Sequence, residues 1–416
     1  MPKCDAAISE LQCAARRRTR CVARTCAVSH SALSALARRW PCRAIAGYAA
    51  DPAHAHRLPR LLHVLALRSS SRRYRHPAHG PGQRRRPARR VADLRWPAAQ
   101  PAPAGRAGRY RTGAGAADAA GLPAGPGLPG RAGGRFGNRI AGSAFTVDGR
   151  RYAVTANEGA NHLHGGALGF GRRVWTVSAQ TERMLQLRYD SPAGEEGYPG
   201  NLSVEATYRV EDRCLSVEFV AQTDAPTPLN LTHHPYFNLA GDAAVPAAAQ
   251  WLRVPADRYL PVRDAALLPR GEIATVAGTP FDFRQARAIA DKDIAADPQL
   301  SLSAGYDHCL VLADGHDCTA VLYSPHSGVA MRIVSPMPAV QLYEGQGLDR
   351  QHPALGRGIC LEPQGYPDAP NQPGFPDCIL RPGQIYRHQI AYYVAEVGQG
   401  ADWATVEAAL AEQGGG

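Results

Sequence analysis

The chain has 416 residues and a formal net charge of +11, from 47 Lys and Arg against 36 Asp and Glu. The positive charge belongs to residues 1–134, which hold 25 basic and 5 acidic residues (+20), whereas the remainder is acidic at −9. A nucleic-acid-binding function would therefore depend on the first third alone, and there the arginines lack regularly interleaved aromatic residues.

Cysteine usage and hydropathy indicate the compartment. Ten cysteines, five on each side of residue 134, show no Cys-x-x-Cys spacing and are too sparse for a disulfide scaffold. No apolar run is long enough to span a bilayer, and residues 1–5 lack the charged-then-apolar order of a signal peptide. We therefore expect a cytoplasmic protein with reduced thiols and with neither nucleic-acid nor membrane partners.

Residues 1–134 form a low-complexity segment dominated by Arg, Ala, Pro and Gly. The segment lacks strand or helix periodicity, so it cannot bury enough apolar surface to offset the entropy of ordering. We predict that it has no packed core. It is a disordered extension, a tail for RNA or membrane surfaces, or a GC-rich gene read out of frame.

From Gly134 the pattern becomes that of an all-β protein. Asp148-Gly149 between two apolar runs is a strong hairpin signal, and residues 202–210 and 215–221 alternate cleanly between apolar and polar. The remaining predicted strands are 174–181, 184–189, 251–254, 309–313, 319–324, 330–334, 339–343 and 385–394.

Helical patterns are few, at 284–290 and 403–412. Many short strands separated by turn signals favour a large antiparallel β-sandwich. We assign this all-β domain to residues 135–397 and a C-terminal tail with a short helix to residues 398–416.

A stretch with two adjacent histidines, residues 231–241, is the strongest candidate for chemistry. Histidine has the side-chain pKa nearest neutral pH, and its apolar setting here suits a general acid or base. Glu362 follows an apolar strand-like run, where a carboxylate can face a cleft. One carboxylate and one histidine that converge are the minimum for paired proton transfer.

Six motifs in order resemble the aldose 1-epimerase, or galactose mutarotase, family. They are Gly-Arg-Phe-Gly-Asn-Arg-Ile-Ala, Asn-His-Leu-His-Gly-Gly, Glu-Glu-Gly-Tyr-Pro-Gly, Leu-Thr-His-His-Pro-Tyr-Phe-Asn-Leu-Ala-Gly, Tyr-Asp-His and Leu-Glu-Pro-Gln-Gly-Tyr-Pro-Asp-Ala-Pro-Asn. The resemblance implies a galactose mutarotase-like β-sandwich. It implies exchange of the α and β anomers of aldohexoses such as galactose and glucose, without metal or organic cofactor. We expect a monomer or homodimer whose partner is a small-molecule aldose.

The resemblance also implies roles for individual residues. His234 matches the general acid and Glu362 the general base, so we expect His234 to be protonated and Glu362 ionised at rest. The residues matched to sugar binding are Arg139, His164, Asp307 and Gln341. His233 is interpreted as a support for its loop.

One departure from the family pattern concerns the fold. The family has several strands before the Asn-Arg-Ile motif, whereas this chain has Ala, Gly, Pro and Arg there. If those strands are missing, part of the sandwich lacks partners and exposes edges.

Three other functions remain open. A hexose-6-phosphate epimerase of the same fold would want additional basic residues around its cleft. A carbohydrate-binding protein without catalysis would need neither His234 nor Glu362. A metal site would use His162, His164, His233 and His234 as ligands.

Overall fold

A computed structural model describes residues 131–348 and 357–412. The predictions for residues 1–130 lie outside these ranges. In the described residues, strands dominate and the two largest sheets are antiparallel throughout, as the sequence predicted.

The larger sheet has nine strands. They are β6 (Thr176–Gln180), β7 (Met184–Ser191), β8 (Leu202–Glu211), β9 (Cys214–Thr223), β12 (Trp251–Arg253), β15 (Arg287–Ala288), β17 (Ala320–Ser324), β18 (Val329–Val334) and β22 (Tyr386–Glu396). Their spatial order is β15-β12-β17-β18-β22-β9-β8-β7-β6.

The smaller sheet has five strands. They are β13 (Ala256–Leu260), β14 (Ala274–Thr275), β16 (Asp307–Leu312), β19 (Ala339–Tyr343) and β20 (Cys360–Gln364). Their spatial order is β14-β13-β16-β19-β20, so β20 lies at one edge.

Four short antiparallel pairs surround the two sheets. They are β1 (Arg131–Gly133) with β11 (Thr232–His234), β2 (Arg139–Ile140) with β5 (His162–Leu163), β3 (Ala144–Val147) with β4 (Arg150–Ala153), and β10 (Thr227–Pro228) with β21 (Ile379–Leu380).

The main core lies where the two sheets pack together. Alternation along each strand sends every second side chain inward. Val217 and Ile390 from the large sheet pack in one apolar cluster with Leu310, Val340 and Leu361 from the small sheet, and all five are fully buried. The fold is therefore the β-sandwich that the sequence predicted.

Three differences from the sequence predictions concern boundaries and helices. The predicted helix at 284–290 is wrong, because Arg287 and Ala288 pair as a strand with β12. A short helix α1 (Pro298–Ser303) was missed, whereas the predicted C-terminal helix is present as α2 (Trp403–Ala411). The described strands also begin before residue 135, the predicted start of the domain, since β1 pairs with β11.

No helix within 131–348 or 357–412 is long and apolar enough to cross a membrane.

Candidate active site

The register of the small sheet gathers three polar side chains on its outer face. Gln341 on β19 lies directly opposite Glu362 on β20, and Asp307 on β16 lies opposite Tyr343. Gln341 Nε2 donates to Asp307 Oδ1 at 2.6 Å. The inward neighbours on these strands, Leu342 among them, fill the core, so strand alternation itself sends the polar residues outward.

The paired histidines are separated by the same alternation. His234 faces Glu362, with its Nε2 3.3 Å from the Glu362 Oε1. His233 points into the interior, where its ring approaches Tyr208 and its Nδ1 lies 3.2 Å from the Tyr392 hydroxyl. His233 therefore lies on the core side of β11, away from Glu362.

Contacts with β20 and two tyrosines fix the His234 ring. Thr232 Oγ1 donates to the Pro363 carbonyl at 3.0 Å, which ties β11 to the strand that carries Glu362. The His234 ring stacks on Tyr236 with centroids 5.0 Å apart, and Tyr343 meets it edge-on. These contacts bury the imidazole and hold it in one orientation.

Burial controls the protonation of this pair. Desolvation lowers the pKa of His234 to about 4. Desolvation also raises the pKa of Glu362 well above its usual range, and Asp307 adds to this while Arg139 opposes it. Burial therefore favours the neutral form of each group. The expected resting state, a protonated His234 beside an ionised Glu362, is a buried ion pair, and desolvation makes it costly to form.

Arg139 reaches the site from β2 and lies between two carboxylates. Its Nε and Nη2 donate to the Glu158 carboxylate at 2.7 and 2.9 Å, and its Nη1 lies 3.6 Å from Asp307 Oδ2. Burial opposes the charge of Arg139, but Asp307 and Glu158 outweigh it and raise the pKa of Arg139. Burial raises the pKa of Asp307, against the effect of Arg139.

His164 enters from the turn that follows β5. Its φ is 51°, and Gly165 and Gly166 continue the turn at φ values of 83° and 96°. A Cβ on Gly165 would collide with the Gly134 carbonyl, so the close approach requires glycine. The His164 Nδ1 accepts from the Asn138 backbone N–H at 3.2 Å, and its ring lies 5.4 Å from that of His234.

Three polar atoms of the site are buried without a hydrogen-bond partner among the described residues: His234 Nδ1, Glu362 Oε2 and Gln341 Oε1. Unpaired buried polar atoms are costly, and their concentration at one place indicates a polar ligand.

The four histidines of the metal hypothesis do not come together. His162 is held by the Thr155 carbonyl and the Tyr198 hydroxyl, each at 2.6 Å, and His233 lies in the core. Across the described ranges, no group of three or more His, Cys, Asp or Glu side chains is placed to hold a metal ion.

All six residues singled out from the sequence converge, and the structure adds three that were not. Tyr343 lies two residues after Gln341, so strand periodicity could have placed it on the same face. Tyr236 lies in the two-histidine stretch. Glu158 lies in a loop, and no sequence signal connects it to Arg139.

Known proteins are similar to this chain in both sequence and fold. A family model for aldose 1-epimerase matches residues 115–393. Aldose 1-epimerase from Escherichia coli (strain K12) is 38% identical over 277 residues, covering 63% of this chain and 79% of the relative. Galactose mutarotase from Homo sapiens is 40% identical over 265 residues, covering 61% and 75%.

Solved structures agree. A GalM/aldose epimerase homologue from C. elegans has a TM-score of 0.58 at 32% identity, covering 65% of this chain and 83% of the other. A galactose 1-epimerase from Lactobacillus acidophilus has a TM-score of 0.58 at 30% identity, covering 65% and 81%. The chain therefore belongs to the aldose 1-epimerase family and is an isomerase that interconverts anomers.

Proposed function

We propose that His234 and Glu362 exchange the α and β anomers of aldohexoses such as galactose and glucose. The observation that carries this proposal is their buried contact of 3.3 Å beside a set of groups suited to sugar hydroxyls. The names of relatives at 38–40% identity support the same substrate class.

The reaction needs one proton removed and one delivered. Glu362 takes the proton of the C1 hydroxyl while His234 gives a proton to the ring oxygen, and the bond between C1 and that oxygen breaks. The aldehyde turns about the C1–C2 bond. Both transfers then run in reverse, and the ring closes on the other face of the carbonyl.

The electrostatics of the site favour ring opening. After the ring opens, Glu362 is protonated and His234 is neutral, which is the arrangement that burial prefers. Before it opens, the pair is a buried ion pair with the same single proton. Proton transfer to and from the sugar therefore removes the two buried charges of the pair as the bond between C1 and the ring oxygen breaks.

The surrounding residues suit a neutral sugar. His164 accepts a hydrogen bond at Nδ1, so its neutral ring carries the proton on Nε2 and can donate to a sugar oxygen. Asp307 accepts from hydroxyls, and Arg139 donates to them. Because Glu158 and Asp307 compensate the charge of Arg139, this arginine suits a hydroxyl better than the phosphate of a hexose 6-phosphate.

The test compares Glu362→Gln and His234→Asn with the parent by exchange NMR on equilibrated galactose or glucose, with the spontaneous rate subtracted. Each change should slow anomer exchange by about 10² to 10⁴, the usual contribution of one acid–base group. The double variant should lose little more, because the two groups act as a unit. Glu205→Gln, in β8, is the matched control and should retain parental exchange.

Sugar binding should persist in both variants, because Arg139, His164 and Asp307 remain. A folded Glu362→Gln protein with near-parental exchange would show that Glu362 is not the base. A parent without catalysed exchange would overturn the proposed function.

We also propose that the protein works in the cytoplasm, as a monomer or homodimer. Five cysteines in the described ranges form no disulfides, which supports a reducing compartment. Fractionation of expressing cells tests the location, and light scattering on the purified chain tests the assembly.

A further inference from the structure

We infer that Glu158 is a positioning residue for sugar binding: it fixes the Arg139 guanidinium beside Asp307, so that one sugar hydroxyl can bond to both groups at once. The inference rests on the proposed function. It assigns Glu158 a role through Arg139, without contact to the reacting atoms.

The hydrogen-bond geometry of Arg139 supports this role. Glu158 engages Nε and Nη2 with two parallel bonds of 2.7 and 2.9 Å, the arrangement that fixes a guanidinium plane most firmly. The other nitrogen, Nη1, faces Asp307 Oδ2 at 3.6 Å. Direct bonds between charged N–H and carboxylate groups are typically about 2.7–2.9 Å, so the ion pair of Arg139 with Asp307 is longer than the two bonds to Glu158.

Asp307 is restrained from its own side. Its Oδ1 accepts from Gln341 Nε2 at 2.6 Å, which leaves Oδ2 directed at Arg139. A hydroxyl can accept from an N–H and donate to a carboxylate at once. Arg139 Nη1 and Asp307 Oδ2 therefore offer a donor and an acceptor side by side to one hydroxyl.

The Glu158 carboxylate is itself fixed by its loop. Glu158 and Asn161 exchange two backbone hydrogen bonds of 3.0 Å, which close a tight turn. The preceding Asn157 side chain donates to the Leu163 carbonyl and accepts from the Leu163 N–H. Leu163 is the β5 partner of Arg139, so the turn is tied to the strand beside the arginine.

Without Glu158, the positive charge of Arg139 has one remaining carboxylate neighbour in reach. We expect the guanidinium to close on Asp307. The sugar would then have to break that contact to bind, which weakens binding but leaves His234 and Glu362 in place.

The experiment measures KM and kcat for anomer exchange by NMR over a range of sugar concentrations. Glu158→Gln keeps the shape of the side chain but removes its charge. The expected result is a rise in KM of roughly tenfold to a hundredfold, the scale of one hydrogen bond to a charged group. kcat should stay within about threefold, because uniform binding is lost rather than transition-state stabilisation.

Two further variants separate position from charge and from general damage. Glu158→Asp retains the charge but shortens the reach, and its KM should lie between those of the parent and Glu158→Gln. Glu407→Gln removes the carboxylate of another Arg–Glu pair, the exposed contact of Glu407 with Arg253 at 2.8 Å. It should leave both constants at parental values.

An unchanged KM in Glu158→Gln would overturn the inference. A fall in kcat as large as the rise in KM, together with a loss of folding stability, would also overturn it. These outcomes are distinct from failure of the proposed function, which appears as an inactive parent or an active Glu362→Gln. If the parent is inactive, an NMR titration of galactose binding decides: the inference requires weaker binding in Glu158→Gln than in the parent, and parental binding in Glu407→Gln.

Discussion

Acid should destabilise this fold through histidines that are buried as neutral bases, and His388 gives the clearest measurement. Its ring is fully buried on β22. The Nδ1 donates to the Leu231 carbonyl at 2.8 Å, and the Nε2 accepts from the Ser335 hydroxyl at 3.0 Å. Desolvation lowers the pKa of His388 from 6.5 to about 4.

The direction and size of the effect follow from this shift. Between pH 6.5 and 4 the unfolded chain binds a proton that the folded chain refuses. The contribution of His388 to stability is therefore complete above pH 6.5 and is lost as the pH falls towards 4. From pH 7 to pH 5 the loss amounts to about 2 kcal/mol.

The assay is urea unfolding at pH 7 and at pH 5 for the parent and for His388→Gln. Glutamine does not titrate, and its amide can still donate to Leu231 and accept from Ser335. The parent should lose about 2 kcal/mol more than the variant between the two pH values. His326→Gln, at an exposed histidine, controls for the loss of a histidine as such. Equal losses in the parent and His388→Gln would refute the reasoning.

Two further substitutions test the supports of the site. Gly165→Ala should destabilise by more than about 2 kcal/mol and slow anomer exchange, because the Cβ meets the Gly134 carbonyl. Gly142 has a φ of 59° but open space where a Cβ would lie, so Gly142→Ala measures the cost of the backbone conformation alone. Similar melting temperatures for the two variants would contradict this account. Lys292→Met should cost about 3–5 kcal/mol in urea unfolding by leaving buried Glu344 unpaired. Adding Glu344→Gln should recover much of that loss, and failure to recover it would remove the ion pair as the cause.

The sequence predicted the strands of the sandwich because their alternation is a local property. It placed Glu362 at the end of an apolar run and Gln341 within another. It did not reveal that these two residues lie opposite each other, because register depends on how separate strands meet. The resemblance to a family supplied what alternation could not, namely which polar residues share one site.

The incorrect helix at 284–290 shows the opposite failure. Its residues are mostly good helix formers, but Ile289 is buried in the main core and Arg287 pairs with Leu252 at the sheet edge. Tertiary contacts therefore overrode local propensity. The missed helix α1 had a readable start, since Asp297 caps it and Pro298 occupies its first turn.

The buried position of the proposed acid–base pair, His234 and Glu362, suits an isomerisation. In the proposed mechanism His234 and Glu362 share one proton in the resting form. Each group exchanges one proton with the sugar when the ring opens, and the pair again holds one proton at the end of turnover. A hydrolase must admit water to its site, and an enzyme whose reaction takes up or releases protons must exchange them with solvent. Anomer exchange needs neither. In this mechanism burial, which lowers the pKa of His234 and raises that of Glu362, favours the neutral pair that forms together with the open-chain aldehyde.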